Sequence, residues 1–300
     1  MKVDRIFINT HRYDFEFTRI CVASVRYWYP SVPVSLIFDY SNGGFTYKRL
    51  CRDWDIGVLD THKSKYGWGF GKFEPLFLEN DERFLVLDAD TALAGPVLAK
   101  LDPIEADFVV DRETQPPEKV SSLYYDPEAV KRIAPGFSYP GYTFNTGQWV
   151  GKGGLIRRSD FDGLVEWQPS PQLKYKDIFK QADQGIFNFL LHQKEKEGKI
   201  TVEKIPLMIW PGEEGREGSI RLQTIRDKKP DHPFVIHWAG MKFKQLSDYP
   251  MGHILCFYNQ YANSRHTGLK NIADETMKRY FGWEKRMRNR FNRLTRPKPR

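Results

Sequence analysis

The stretch FLVLDAD, residues 84–90, constrains the fold more than any other part of the 300-residue sequence. Four consecutive apolar residues, Phe84–Leu87, run directly into Asp88, Ala89 and Asp90. A short unbroken apolar run is typical of a strand that is buried on both faces. A carboxylate at the end of such a strand is costly to bury unless a cation, a basic side chain or water compensates it. We therefore expect a central strand that ends at a polar site.

The segments around this strand alternate between strand and helix patterns. DRIFIN and VPVSLIFD read as strands, and EFTRICVASVRYWYP between them reads as a helix that Pro30 ends. Further along, QADQGIFNFLLHQ predicts a helix, and FVIHWAG predicts a strand that ends at His237. This alternation predicts an α/β fold with a mainly parallel sheet flanked by helices. Ligands of such sheets bind beyond the carboxyl ends of the strands, where Asp88 and Asp90 would lie.

Composition limits the class of protein. The chain is 40% apolar and 15% aromatic, which is sufficient for a large core. No apolar run approaches the roughly 18 residues of a membrane span, and the charged N-terminal segment does not read as a signal peptide. Cys21, Cys51 and Cys256 are odd in number and widely spaced, so they match no disulfide framework and no zinc pattern. We expect a cytoplasmic protein.

The net charge of +8 is concentrated at one end of the chain. Residues 278–300 contain ten Lys or Arg and the single acid Glu284, so the remainder of the chain is close to neutral. This distribution predicts two parts, a globular domain over residues 1–275 and a basic tail over 276–300. A near-neutral globule without a recognition motif is not expected to bind nucleic acid.

The two aspartates have two interpretations. They could cap a turn, which is the common role of a D-x-D, or they could hold a metal ion. Residues i and i+2 of an extended segment lie on the same side, so both carboxylates can face one site. Oxygen ligands suit Mg²⁺ or Mn²⁺, and such ions often complete their coordination with substrate phosphates.

Five short segments, taken in order, resemble the GT-A glycosyltransferases of family eight. FLVLDAD resembles the D-x-D strand of that family, and ASVRYWYP resembles its first helix. FNTG, DQGIFN and HWAG, which begin at residues 144, 183 and 237, resemble its later motifs. The haloacid dehalogenase-like phosphatases also place a D-x-D after a strand. Their pattern has a glycine after the second Asp and a threonine four residues after the first, whereas Thr91 here is three residues after Asp88.

The resemblance implies a GT-A fold and a nucleotide diphosphate sugar, of the uridine type, as donor. It implies that Mn²⁺ or Mg²⁺ is held by Asp88, Asp90 and His237. It also implies a set of donor-binding residues, although Tyr13 could equally be a core residue and Lys72 a surface one, and Thr10 stands where the family commonly has an acidic residue. This set is Asn9, Thr10, Tyr13, Lys72, Asp88, Ala89, Asp90 and Lys242.

The expected reaction is hexose transfer to a hydroxyl acceptor with retention at the anomeric carbon. Asp183, Gln148 and Asn145 are the candidate catalytic residues. Asp183 could instead cap the helix that it begins, and Gln148 could be a polar residue without a catalytic role. The alternative function is a nucleotide-sugar-binding module that has lost its activity.

The tail has an amphipathic pattern. On a helix from about 276 to 294, one face carries Tyr280, Trp283, Met287, Phe291 and Leu294, and arginines flank it. This pattern favours an anionic membrane surface as partner, and a lipid-linked glycan is an acceptor that such a tail would serve. The enzyme would then lie at the inner face of the membrane. The competing interpretation is that this face packs against the globular domain.

Overall fold

The computed structural model describes residues 1–44, 47–67, 69–113, 115–212, 220–229, 234–264 and 269–295. The side chains of residues 117, 269–275, 278 and 291–295 lie outside this description, so the predictions for Phe291 and Leu294 do too.

The strands fall close to the predicted positions. They are β1 Arg5–His11, β2 Val34–Asp39, β3 Gly57–Leu59, β4 Arg83–Asp88, β5 Thr91–Leu93, β6 Phe108–Asp111, β7 Gln148–Lys152, β8 Val165–Glu166, β9 Gln172–Leu173, β10 Val202–Ile205, β11 Met208–Ile209 and β12 Val235–His237.

The helices alternate with these strands in the first half of the chain and dominate its C-terminal end. They are α1 Phe15–Trp28, α2 Lys48–Trp54, α3 Val97–Leu101, α4 Pro117–Leu123, α5 Pro127–Val130, α6 Asp183–Lys196, α7 Leu222–Arg226, α8 Gly252–Ser264 and α9 Leu269–Thr295.

Seven of the described strands form one mixed sheet in the order β10-β6-β7-β4-β1-β2-β3. Strands β1 to β4 and the β6–β10 pair are parallel, whereas β7 runs antiparallel to both β4 and β6. The prediction of an α/β fold with a mainly parallel sheet is confirmed. Strand β4, which carries the D-x-D, lies in the middle of this sheet and is buried from Arg83 to Leu87.

The sheet has a different apolar layer on each face. Aliphatic side chains of β1, β2 and β4 meet α1 and α8 on one face. The buried guanidinium of Arg19 in α1 donates to Asn259 in α8 at 2.5 Å, which joins the two helices. The other face is rich in aromatic rings, among them Trp149 of β7 and Phe187 of α6, whose centroids are 4.8 Å apart. The sheet is therefore covered on both sides, as its unbroken apolar strands require.

A second sheet brings the C-terminal half of the chain back to the D-x-D. Its order is β11-β12-β5, and β12 runs antiparallel to β5, so that His237 pairs with Thr91. The N–H of Trp238 also donates to the carbonyl of Asp90 at 3.0 Å. This pairing places residue 237 next to residue 90 although 147 positions separate them in the sequence.

Two helical segments are important for the site and the tail. Residues Phe70–Phe77 form a 3-10 helix, and Pro75 inside it lacks the N–H that an α-helix needs. Helix α9 begins at Leu269, so the expected division after residue 275 falls within a continuous helix. None of the helices in the described residues is both long and apolar enough to cross a membrane.

A buried amide fixes the chain segment that leads into the site. Asn188 of α6 is fully buried, accepts a hydrogen bond from the N–H of Phe144 and donates one to the carbonyl of Phe144, both at 2.9 Å. We expect Asn188→Ala to lower the free energy of unfolding by about 2–4 kcal/mol, because two buried backbone groups lose their partner. Urea unfolding followed by circular dichroism measures this change. The control, Gln193→Ala on the same helix, should stay within about 0.5 kcal/mol of wild type. Equal stability of the two variants would contradict the role of Asn188.

Candidate active site

The D-x-D lies where three strands end together. Asn9 of β1 pairs with Asp88 of β4, and the N–H of Ala89 donates to the carbonyl of Asn9 at 3.1 Å. On the other side of β4, the N–H of Asp88 donates to the carbonyl of Gly147 at 2.7 Å. The backbone of the motif is thus held from both sides, which fixes the directions of the two carboxylates.

His237 completes a group of three potential metal ligands. Its Nε2 lies 3.2 Å from Oδ1 of Asp90 and 3.9 Å from Oδ2 of Asp88. One ligand atom from each residue can be chosen so that all three lie within 4.8 Å of one another. The ring of Trp210 stacks on the imidazole at 5.3 Å, which restrains its orientation. No motif in the sequence indicates a role for this tryptophan.

These three residues fit a divalent cation. Carboxylate oxygens and a neutral imidazole suit Mn²⁺, and two carboxylates with water suit Mg²⁺. Ligands of one such ion at about 2.1 Å lie roughly 3–4 Å from one another, so the observed spacing requires little adjustment. Gly147 makes room for the imidazole, because a Cβ there would lie 2.1 Å from Cε1 of His237. A side chain at this position would displace the histidine.

The surroundings of the two aspartates act on them differently. Burial raises the pKa of Asp88, and Asp90 adds to this effect while Lys72 opposes it. Burial also acts to raise the pKa of Asp90, but the attraction of His237 and its hydrogen bond hold this pKa below the usual range. Of the two aspartates, Asp90 is therefore the one whose ionised form the surroundings favour.

Lys72 connects the metal ligands to a third carboxylate. Its buried ammonium lies 2.8 Å from Oδ2 of Asp183, 3.2 Å from Oδ2 of Asp88 and 3.1 Å from the hydroxyl of Thr146. Burial alone would lower the pKa of Lys72, but Asp183 and Asp88 raise it, so the side chain is charged. Thr146 donates in turn to Asp183 at 2.6 Å, a contact that the sequence motifs did not indicate.

Asp183 begins α6 without capping it. The N-cap position is Ala182, and no side chain caps the helix there. The carboxylate of Asp183 instead meets Lys72 and Thr146, and it occupies the space beside Gly69, where a Cβ would lie 2.2 Å from Oδ1. The structure thus places Asp183 in the ionic network rather than in a capping role.

The two amides proposed as catalytic lie in different environments. Asn145 donates to Oε1 of Gln184 at 2.9 Å and accepts from the N–H of Gly147 at 2.7 Å, so it lies beside the network. Gln148 lies inside the sheet opposite Leu87 and is fully buried, and its amide has no hydrogen-bond partner among the described residues. The structure brings Asn145 to the site, whereas no hydrogen bond among the described residues joins Gln148 to the metal ligands or to the pair of Lys72 and Asp183.

The segment after β1 carries Tyr13, one of the predicted donor-binding residues, and forms one wall of the site. Tyr13 is half-buried there, and His11 and Asp14 beside it form a 3.2 Å contact that the sequence patterns did not indicate. Burial, with a further contribution from Asp90, raises the pKa of Asp14 to about 7. Thr10 points away from this wall, since its hydroxyl lies 2.5 Å from that of Thr18 in α1.

The remaining two predicted donor-binding residues differ in exposure. Oδ1 of Asn9 is buried and has no hydrogen-bond partner among the described residues, and a Cβ on Gly71 would lie 2.9 Å from it. It is therefore an acceptor that still needs a donor. Lys242 lies on the exposed segment after β12.

Comparison with known proteins identifies the fold. No protein-family model matches the sequence, and no curated protein sequence matches it. Among solved structures, the galactosyltransferase LgtC in complex with donor and acceptor sugar analogs is similar with a TM-score of 0.57 and 16% identity, over 90% of this chain and 99% of that one. The bifunctional glycosyltransferase WbbM is similar with a TM-score of 0.57 and 11% identity, over 89% of this chain and 52% of that one. The glycosyltransferase GlyE of Streptococcus pneumoniae TIGR4 is similar with a TM-score of 0.53 and 14% identity, over 87% of this chain and 63% of that one.

These similarities concern the fold. The chain has the GT-A fold of these glycosyltransferases, and it spans about half of WbbM and almost all of LgtC.

The geometry of the three ligands leads to a prediction about metal affinity. We expect Asp90→Asn to weaken Mn²⁺ binding by about tenfold or more, which corresponds to about 1.4 kcal/mol, because the carboxylate nearest to His237 loses its charge. Electron paramagnetic resonance of free Mn²⁺ measures the affinity. Asp81→Asn removes an almost fully exposed carboxylate and serves as control. Equal Mn²⁺ affinity of the two variants would contradict the assignment.

Proposed function

We propose that this protein is a metal-dependent glycosyltransferase that moves a hexose from a nucleotide diphosphate sugar, of the uridine type, to a hydroxyl acceptor. The observation that carries the proposal is the arrangement of Asp88, Asp90 and His237 at the carboxyl end of the central strand, next to the buried pair of Lys72 and Asp183. The GT-A fold supports it, because known glycosyltransferases share that fold.

The proposed roles follow from charge and position. A bound Mn²⁺ or Mg²⁺ supplies positive charge where the leaving diphosphate becomes more negative. Asp88, Asp90 and His237 would hold that ion, and Tyr13 would pack against the base. Lys72 pairs with Asp183 and partly offsets the charge of Asp88, which lowers the repulsion between this region and an anionic donor.

Asp183 would act on the sugar from its fixed position. Its carboxylate is held by Lys72 and Thr146, which favours an electrostatic or hydrogen-bonding role over attack on the anomeric carbon. Asn145 and Gln184, which are bonded to each other beside it, offer amide groups to sugar hydroxyls. Retention by departure and attack on one face of the sugar needs no protein nucleophile, and this is the stereochemistry that we propose.

The test of the proposed function is turnover of a nucleotide sugar by the full chain. We expect Mn²⁺-dependent release of the nucleoside diphosphate from one member of a panel of uridine diphosphate sugars, with loss of release in the presence of a chelator. Donor binding without any release or transfer would instead favour the alternative of an inactive binding module. Neither binding nor release across the panel would contradict the proposal.

Asp183 provides a prediction within this scheme. We expect Asp183→Asn to retain donor affinity and to lower turnover at least about tenfold, which is about 1.4 kcal/mol of transition-state stabilisation. Steady-state kinetics and calorimetry together measure the two quantities. Glu203→Gln, which changes an exposed carboxylate of β10, is the control. Turnover of the Asp183 variant at the level of this control would exclude a catalytic contribution.

The acceptor and the location are proposed from α9. Tyr280, Trp283 and Met287 of this helix are each about half exposed, so this part of the apolar stripe does not pack on the domain. The flanking Arg279, Arg286 and Arg290 are exposed as well. Basic residues near an anionic surface contribute roughly 1 kcal/mol each. We infer a cytoplasmic enzyme that binds the inner face of the membrane, where a lipid-linked glycan would be its acceptor.

Vesicle sedimentation tests this membrane contact. The triple variant Tyr280→Ser, Trp283→Ser, Met287→Ser should lose binding to phosphatidylglycerol vesicles, because the apolar anchor is removed while the charges remain. The control is Phe243→Ser, since Phe243 is 48% exposed but lies outside α9. Wild type and control should pellet at low salt and less at high salt. Equal pelleting of the triple variant and the control would contradict the inference.

A further inference from the structure

Helix α9 docks onto the segment that follows β1, and this segment forms one wall of the site. Phe281 is only 8% exposed and packs edge-on against Phe15 at 6.2 Å. The guanidinium of Arg12 lies 5.0 Å from the centre of the Phe281 ring and forms a 2.8 Å ion pair with Glu284. An aromatic contact, a cation–π contact and an ion pair therefore hold this helix against the wall.

The docked face of α9 is distinct from its exposed apolar stripe. Glu284 and Lys285 lie three and four residues after Phe281, so the three side chains lie on one face of the helix. At about 100° per residue, the stripe formed by Tyr280 and Trp283 is centred roughly 120° around the helix from that face. Contact with a membrane on the stripe would therefore leave the docked face in place.

Docking brings the ammonium of Lys285 to the mouth of the site. Its Nζ lies 5.7 Å from the centre of the Tyr13 ring. Its charge counters the effects that raise the pKa of Asp14, among them the charges of Asp90 and Asp88. The segment that Lys285 faces follows β1, and β1 is joined to the D-x-D by the hydrogen bond from the N–H of Ala89 to the carbonyl of Asn9. Lys285 has no ion-pair or hydrogen-bond partner within the part of the chain that the structure describes.

We propose that Lys285 is a donor-binding residue that contacts the diphosphate of the nucleotide, so that α9 forms part of the donor site. This inference rests on the proposed function, because it assumes a nucleotide diphosphate donor. A lysine ammonium is a compact point charge that binds phosphate oxygens, and its charge has little effect on a neutral base. The specific consequence is that Lys285 discriminates in favour of ligands that carry a diphosphate.

The experiment compares a nucleotide with its nucleoside on the full chain in the presence of Mn²⁺. Calorimetry with uridine diphosphate and ligand-observed NMR with uridine give the two affinities. For Lys285→Gln we expect the affinity for uridine diphosphate to fall by about fivefold or more while the affinity for uridine is unchanged. Lys285→Arg retains the charge and should retain most of the affinity. The matched control is Arg286→Gln, since Arg286 is the next residue and points into solvent.

The outcomes separate this inference from the proposed function. Unchanged affinity of Lys285→Gln for uridine diphosphate, with wild type binding it, would overturn the role of Lys285 and leave the proposed function intact. If the affinities of Lys285→Gln for uridine and for uridine diphosphate fell equally, the residue would act through the Tyr13 wall, and the assignment would also be overturned. If Lys285→Arg lost as much affinity for uridine diphosphate as Lys285→Gln, a contribution from charge would be excluded. Failure of wild type to bind uridine diphosphate with Mn²⁺ would overturn the proposed function and this inference together.

Discussion

The concentration of negative charge at the end of β4 is the constraint on which the site depends. Asp88, Asp90 and Asp183 converge there, and among the described residues Lys72 and His237 are the groups that pair with them. Carboxylates in such surroundings repel one another and are costly to bury without compensation. Lys72 compensates Asp183 and part of Asp88, which leaves Asp90 and the open side of Asp88 for a divalent cation. Because the three carboxylates outnumber the basic groups around them, the site is suited to an anionic ligand that binds together with a divalent cation.

The fold produces this arrangement by bringing distant segments to one edge of the sheet. Strand β4 delivers the aspartates, the antiparallel β12 delivers His237, and the start of α6 delivers Asp183. Two glycines allow the close approach, because side chains at Gly69 or Gly147 would occupy the positions of Asp183 or His237. The donor site that we propose is therefore formed by segments that are distant in the sequence and packed together in the fold. Helix α9, from the C-terminal end of the chain, adds Lys285 to the wall that carries Tyr13.

The sequence predicts the parts of this account that depend on local patterns. The apolar run before Asp88 and the alternation of strands with helices were sufficient for the fold class and for the place of the aspartates. The antiparallel insertion of β7 between β4 and β6 could not be predicted, because strand order depends on tertiary contacts. Alternation along β1 also does not reveal which face is covered by α1, and Thr10 is turned toward that helix. The apolar periodicity of α9 indicates an exposed stripe but not the docking of Phe281 on another face.

Anomalous diffraction from crystals grown with Mn²⁺ and a uridine diphosphate sugar would locate the metal and the donor together. We expect one strong anomalous peak within coordination distance of Asp88, Asp90 and His237, with density for the diphosphate on the same ion. A peak at another position, or a diphosphate bound away from these three residues, would contradict this expectation.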